Sequence, residues 1–171
     1  MNIQIANLQD VEALTALLNS AYRGESSKLG WTTEADLISG EVRTNPLEIE
    51  SLISSKKSVF LKYTNDQNQI IGCVNLQIHD HSIYLGMLSV NPNLQAQGIG
   101  KQLLQAAETF AKNNNCTRIY MTVISVRIEL IDWYLRNNYI LTSQTKPFPS
   151  DHTSGIPHQK LEFVVLEKTN F

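Results

Sequence analysis

Two glycines, Gly98 and Gly100, flank Ile99 in the stretch SVNPNLQAQGIGKQLLQAAETFA, residues 89–111. The residues before them read as the end of a strand. Those after them place Leu103, Leu104, Ala107 and Phe110 at helical spacing. A helix start presents backbone N–H groups with no partner inside the helix, and the macrodipole adds about half a positive charge there. Residues with almost no side chain let an anion reach those groups, so the chemistry this spacing suggests is phosphate binding at the helix start beside Gly98 and Gly100. Gln95 and Gln97 add amide donors, and Lys101 adds charge. Two familiar phosphate loops fail on the same residues. A dinucleotide fingerprint needs a glycine where Leu103 stands; a P-loop needs one where Gln95 stands and a hydroxyl where Gln102 stands. On the turn alone, a tight glycine turn that binds nothing explains these residues equally well.

The totals limit what the turn can serve. A chain of 171 residues with 42% hydrophobic content fits one domain with a real core, read here as residues 1–171. Fourteen basic against 16 acidic residues, net −2, give no electrostatic case for a nucleic-acid or membrane-surface partner. Cys73 and Cys116 show neither metal-ligand spacing nor a disulfide framework, and no metal is expected. The first ten residues do not resemble a signal peptide, and no stretch approaches the roughly 20 apolar residues of a membrane span. A cytoplasmic protein is expected.

The elements that must position the turn follow from pattern. IQIAN alternates as a strand; Asn7 and Asp10 then form a box-like cap for a helix that buries Leu14, Leu17 and Leu18. TTEADLIS predicts a second short helix, and NPLEIESLIS a third, with Asn45 as cap, Pro46 at the first helical position and Glu48 closing the box. SVFLKYT, QIIGCVNLQIH and SIYLGMLSV predict three strands, with Gly86 either a bulge or a packing glycine. After the glycine helix come the strand RIYMTVI, the helix RIELIDWYLRNN and the strands YILTSQ and LEFVVLEK. Between the last two lies TKPFPSDHTSGIPHQ, long enough to be a candidate functional loop carrying Asp151, His152 and His158. This order predicts a mixed α/β or α+β domain with one sheet.

The segment LSVNPNLQAQGIGKQLL resembles the acyl-CoA-binding motif of the GNAT superfamily of N-acyltransferases: strand, proline, Gln/Arg-x-x-Gly-x-Gly/Ala, helix. Gln95, Gly98 and Gly100 stand at its three defining positions. The order of elements also matches, and RIELIDWYLRNNY resembles the family's second cofactor segment. Arg127, Leu130 and Asn138-Tyr139 depart from the residues often found there. The resemblance implies a mostly antiparallel mixed sheet flanked by helices, with acetyl-CoA as co-substrate. It implies that the pyrophosphate sits on Gln97, Gly98, Ile99, Gly100 and Lys101, with Arg127 nearby. It also implies that the pantetheine pairs with the backbone of Leu88, Ser89 and Val90 like an added strand.

Acetyl transfer to a primary amine needs a neutral amine, a polarised thioester carbonyl and a stabilised leaving thiolate. Tyr134 is the expected acid, because a phenol of pKa about 10 is protonated at neutral pH; from the helix alone it reads as a half-buried core tyrosine. The connection AYRGESSKLGWTTEAD is expected beside the acceptor. Glu25 would take the amine's proton, with Tyr22, Trp31 and Glu34 forming the acceptor site; an ordinary solvated connection is the simpler reading of the same residues. The expected function is direct acetyl transfer to a small-molecule or peptide amine, the alternative being a GNAT-fold module that senses acyl-CoA without efficient turnover. Edge strands near the C-terminus make a homodimer possible.

Overall fold

The computed structural model describes residues 2–149 and 155–171. Seven strands form one sheet in the order β1-β3-β4-β5-β6-β9-β7. In the chain these are β1 (Ile3–Ile5), β3 (Ser58–Thr64), β4 (Ile70–His79), β5 (Ser82–Val90), β6 (Arg118–Ile124), β7 (Ile140–Pro147) and β9 (Glu162–Lys168). All neighbours pair antiparallel except β5 and β6. A separate two-stranded ladder joins β2 (Ile38–Ser39) to β8 (Ile156–Pro157).

Strand β4 shows why the sheet carries a core on each face. Its side chains alternate across the sheet. Val74 and Leu76 are fully buried with α4 (Ile99–Asn113) and α5 (Ile128–Arg136), whereas Cys73 packs with α1 (Val11–Tyr22) and α3 (Pro46–Ser54). The expected face of α1, Leu14, Leu17 and Leu18, fills that second core. Its entry is the predicted capping box on Asn7 and Asp10, formed on a single 3₁₀ turn. Asn45 caps α3 through the Glu48 N–H at 3.0 Å, but the Glu48 carboxylate takes the Thr44 hydroxyl at 2.6 Å rather than closing the box.

Two helix assignments in the connection after α1 change. TTEADLIS forms one helical turn, closed by the Ile38 N–H on the Glu34 carbonyl at 3.0 Å, and then enters β2. Pairing with β8 supplies the backbone partners that a longer helix would have needed. The helix in this region is instead α2 (Gly24–Ser27), opened by Gly24 at φ +70°.

Gly72 is where α4 meets the sheet. A Cβ there would lie 3.0 Å from Ile99 Cγ2, 3.2 Å from Leu103 Cδ1 and 3.3 Å from the Ser89 carbonyl oxygen. Gly72→Ala is therefore expected to destabilise the protein by about 1–3 kcal/mol by overpacking, read as a lowered urea midpoint with an unchanged m value. Unchanged stability would mean that the start of α4 is free to shift.

The core also stores several protons. Burial raises the phenols of Tyr22, Tyr134 and Tyr139 above 10.0, and pushes the Cys73 thiol from 9.0 up to about 12. Below about pH 8 these groups hold their protons whether the chain is folded or not. Above that, the unfolded chain releases protons that the folded one keeps, so stability falls by about 1.4 kcal/mol per pH unit for each such group. Thermal unfolding should give a level Tm up to about pH 8, a shallow fall as Cys73 begins to count, and a steep fall above pH 10; a Tm still level at pH 11 would show the tyrosines ionising as in open solution.

Candidate active site

The glycine turn forms as its residues suggest. Gly98 is the residue before α4 and adopts φ +80°, a conformation that disfavours any side chain, and a Cβ there would meet nothing within 4 Å. The first intrahelical bond runs from the Gln102 N–H to the Gly98 carbonyl at 3.0 Å, so the N–H groups of residues 99–101 precede the ladder. Ala96 is also left-handed, at φ +63°, which costs an alanine on the order of 1–2 kcal/mol. Gly100 has a packing reason as well: its Cβ would sit 3.3 Å from the Trp133 ring.

Gln95 does not serve the turn as expected. Its amide nitrogen donates to the Thr32 hydroxyl at 2.8 Å and to the Val90 carbonyl at 3.3 Å, and its oxygen accepts from the Trp31 N–H at 2.9 Å. Both amide groups are thus committed to strapping residues 31–32 against the end of β5, and Gln95 supports the turn from behind. Gln97 is exposed and contributes no side chain to the cleft wall.

The sheet opens beside this turn. Strands β5 and β6 pair only from Ser82↔Arg118 to Tyr84↔Tyr120, then separate. The kink expected at Gly86 lies one residue further on, at Met87 with φ +52°, where Met87 and Leu88 together oppose Val74. Gly86 instead makes room for the Tyr84 ring, which its Cβ would meet at 3.1 Å; the Tyr84 hydroxyl reaches Thr122 on β6 at 3.0 Å.

Two cavities meet at this opening. One, of roughly 400 Å³, runs from the start of α4 along Leu88 and Val90 to Trp133. The other, of roughly 130 Å³, lies between the separated strands and reaches Gly86, Thr122 and Phe163. Tyr22, Leu88, Arg127, Leu130 and Tyr134 line both. Tyr22 closes over the junction, its hydroxyl donating to the Leu88 carbonyl at 2.8 Å. Tyr134 is 5% exposed, with its ring edge-on to Trp133 and Tyr139. Burial raises its phenol well above 10.0, with the neighbouring Tyr22 and Tyr139 acting in the same direction and Arg127 against them. Tyr22 is raised by burial and then by the Glu34 charge, while Arg43 and the adjacent Ser89 hydroxyl pull it down.

The charges at the junction form a network. Arg23, only 2% exposed, places Nη1 2.5 Å from Glu34, and Arg127, 7% exposed, approaches the other Glu34 oxygen at 3.6 Å. The wall of the larger cavity carries Lys101, Arg127 and Arg136 against Glu129, three positive charges to one negative.

Of the residues expected to act, Tyr134, Leu88, Val90, Gln95, Gly98, Ile99, Gly100, Lys101 and Arg127 converge on the larger cavity, Gln95 with both ends of its amide already engaged. Ser89 is buried beside Tyr22 and lines neither cavity. On the acceptor side, Glu25 is corrected: it lies in the first turn of α2, its side chain 88% exposed and paired with Lys28 at 2.7 Å. Trp31 moves to the rim of the larger cavity, 6.0 Å from the Trp133 ring. Glu34 lines the smaller cavity, with its carboxylate held by two arginines rather than open to an amine. His158 pins its own loop to residues 36–37, its N–H on the Leu37 carbonyl at 2.9 Å. Asp151 and His152 lie outside the described residues. Arg23 lies in the stretch expected beside the acceptor but was given no role there, and Arg43 was missed, because nothing in its local sequence distinguishes it from a surface arginine.

The comparisons with known proteins agree with this geometry. Residues 13–139 match the Acetyltransferase (GNAT) family. A ribosomal-protein-alanine N-acetyltransferase from Brucella melitensis superposes with a TM-score of 0.74 at 16% identity, covering 99% of this chain and 100% of that one. A Bacillus anthracis protein solved in complex with acetyl coenzyme A superposes with a TM-score of 0.59 at 16% identity, over 70% of this chain and 66% of that one. The uncharacterized protein YdhI of Bacillus subtilis is 29% identical over 75 residues, so the match spans 44% of this chain and 46% of the length of that relative. A diverged sheet, a glycine turn at its mouth and a family match across most of the chain have one conclusion: this chain belongs to the GNAT acetyltransferase family.

Proposed function

We propose that this protein transfers the acetyl group of acetyl-CoA to a primary amine by direct attack within a ternary complex. The observation that carries this reading is the meeting of two cavities beneath Tyr134, one of them ending on the bare start of α4. The larger cavity fits a CoA thioester: its mouth offers unpaired N–H groups beside Gly98, and its wall has an excess of two positive charges, three minus one, for phosphates. The Bacillus anthracis neighbour, with acetyl coenzyme A bound, supports the co-substrate. The Brucella neighbour, an N-acetyltransferase by its name, supports an amine acceptor.

When bound, acetyl-CoA supplies a thioester carbon at which a C–N bond forms as the C–S bond breaks, the amine's proton ending on the released thiol. The chain contributes placement and hydrogen bonds. The β5 edge beyond the bulge, freed from β6, offers its backbone to the pantetheine and the carbonyl. Tyr134 donates a hydrogen bond to the sulfur as charge develops there. Its raised pKa keeps the phenol protonated throughout the neutral range, and it also makes complete proton transfer to a thiolate of pKa about 8.5 uphill. Tyr134 is therefore best suited to stabilise the leaving sulfur until the proton from the amine arrives.

Two variants test this reading. Gly98→Val places a β-branched side chain at φ +80° in the open space over the helix start. Acetyl-CoA affinity measured by calorimetry should fall at least about tenfold, roughly 1.4 kcal/mol; unchanged affinity in a folded variant removes the pyrophosphate from this turn. Tyr134→Phe keeps the ring and removes the donor. Turnover followed by free-thiol release should fall about 10²-fold while acetyl-CoA affinity holds. Wild-type turnover would assign the sulfur to another donor, and binding of acetyl-CoA without turnover of any amine would leave a sensing module.

A further inference from the structure

The smaller cavity has the wrong charge for a simple cationic amine. Three of its lining residues are formally charged: Arg43, Arg127 and Glu34, two guanidiniums against one carboxylate. That carboxylate is already engaged by Arg23 at 2.5 Å and by Arg127 at 3.6 Å. The acids that would have drawn a cation, Glu25 and Asp36, are exposed and line neither cavity. Arg43 is half-buried with its guanidinium carbon 5.6 Å from the centre of the Tyr22 ring, and among the described residues no carboxylate lies within ion-pair distance of it.

A planar guanidinium backed by an aromatic ring, in a confined space of roughly 130 Å³ with apolar walls at Met87 and Phe163, suits a small planar anion. The cavity opens to the thioester channel at Leu88 and Tyr134, where the attacking nitrogen must lie. An ammonium group pushed further in would meet like charge. We infer that the acceptor is a small free amino acid, its carboxylate held by Arg43 and Arg127 and its amine directed at Tyr134. The role of the amine rests on the transferase reading above; the anion site rests on the arginines alone. Arg127 belongs to both cavities and is fixed by Glu34, which leaves Arg43 as the residue dedicated to the acceptor's charge.

The test pairs each free amino acid with its carboxamide and with its decarboxylated amine. Thiol release is measured with acetyl-CoA, and binding is measured separately by calorimetry in the presence of CoA. For the acceptor turned over best, kcat/KM should favour the carboxylate over the carboxamide at least about tenfold. Arg43→Gln should shrink that preference to about threefold or less, with Arg43→Lys between the two. Acetyl-CoA affinity and Tm should hold in both variants, which separates a lost anion contact from a damaged fold. Carboxamides or plain amines that react as well as the amino acids, or a preference that survives Arg43→Gln, would overturn the inference and leave the transferase standing. Amino acids that bind, and lose binding in Arg43→Gln, without any acetyl transfer would do the reverse. If no amino acid binds or reacts, the inference fails.

Discussion

The separation of β5 from β6 is the constraint on which the rest of this molecule depends. Three residue pairs hold the two strands together, after which the left-handed Met87 turns β5 away. A sheet split in its middle exposes backbone groups that would ordinarily be paired, and those groups must find other partners. Tyr22 crosses from the end of α1 to take the Leu88 carbonyl, and Tyr84 spans to Thr122 just beyond the point of separation. The free length that remains runs between two cavities. The site is thus a gap in the hydrogen-bond ladder, kept open because each side of it is anchored elsewhere.

The anchoring is chemically varied. Cys73, buried on the α1 face, directs its thiol toward the Met87 carbonyl at 3.8 Å and so backs the bulge from below. Gln95 fastens residues 31–32 to the end of β5. Glu34 gathers Arg23 from the end of α1 and Arg127 from the start of α5, so two elements distant in sequence close on one carboxylate. Removing one member of such a buried set leaves its partners charged and uncompensated, which typically costs 3–5 kcal/mol or about that. The position of Arg127 over both cavities is therefore fixed by Glu34, which lines only the smaller of them.

The strands and the glycine turn were legible in the sequence because local rules decide them. Runs of β-branched and aromatic residues bounded by polar turns mark β3 to β5, alternation marks β6, and Gly98 stands where only a residue without a side chain sits comfortably before a helix. Tyr134 was singled out through the family resemblance of its helix, and the fold places it on the wall of both cavities. The connection between α1 and β3 was misread for a physical reason: its conformation is set by distant partners. TTEADLIS has helical propensity, yet Ile38 and Ser39 are claimed by Pro157 and Ile156 more than a hundred residues away. Glu25 looked available because α2 opens on a glycine and carries no periodic apolar face. Arg23, Glu34 and Arg43 assemble only when the chain folds back over β5, and single-sequence pattern contains no record of that assembly.

For the proposed reaction, the shared wall between the cavities has a consequence for how acetyl-CoA and its acceptor would meet. Tyr22, Leu88, Arg127, Leu130 and Tyr134 belong to both spaces, so any adjustment made by these side chains for one occupant is felt by the other. Binding free energies must close around a cycle: if a bound thioester strengthens the grip on the acceptor, the acceptor strengthens the grip on the thioester by the same factor. On the transferase reading proposed above, an adjustment of this wall by one substrate would make the apparent affinity of each depend on the other's concentration, and an inhibitor filling either cavity would inherit that dependence.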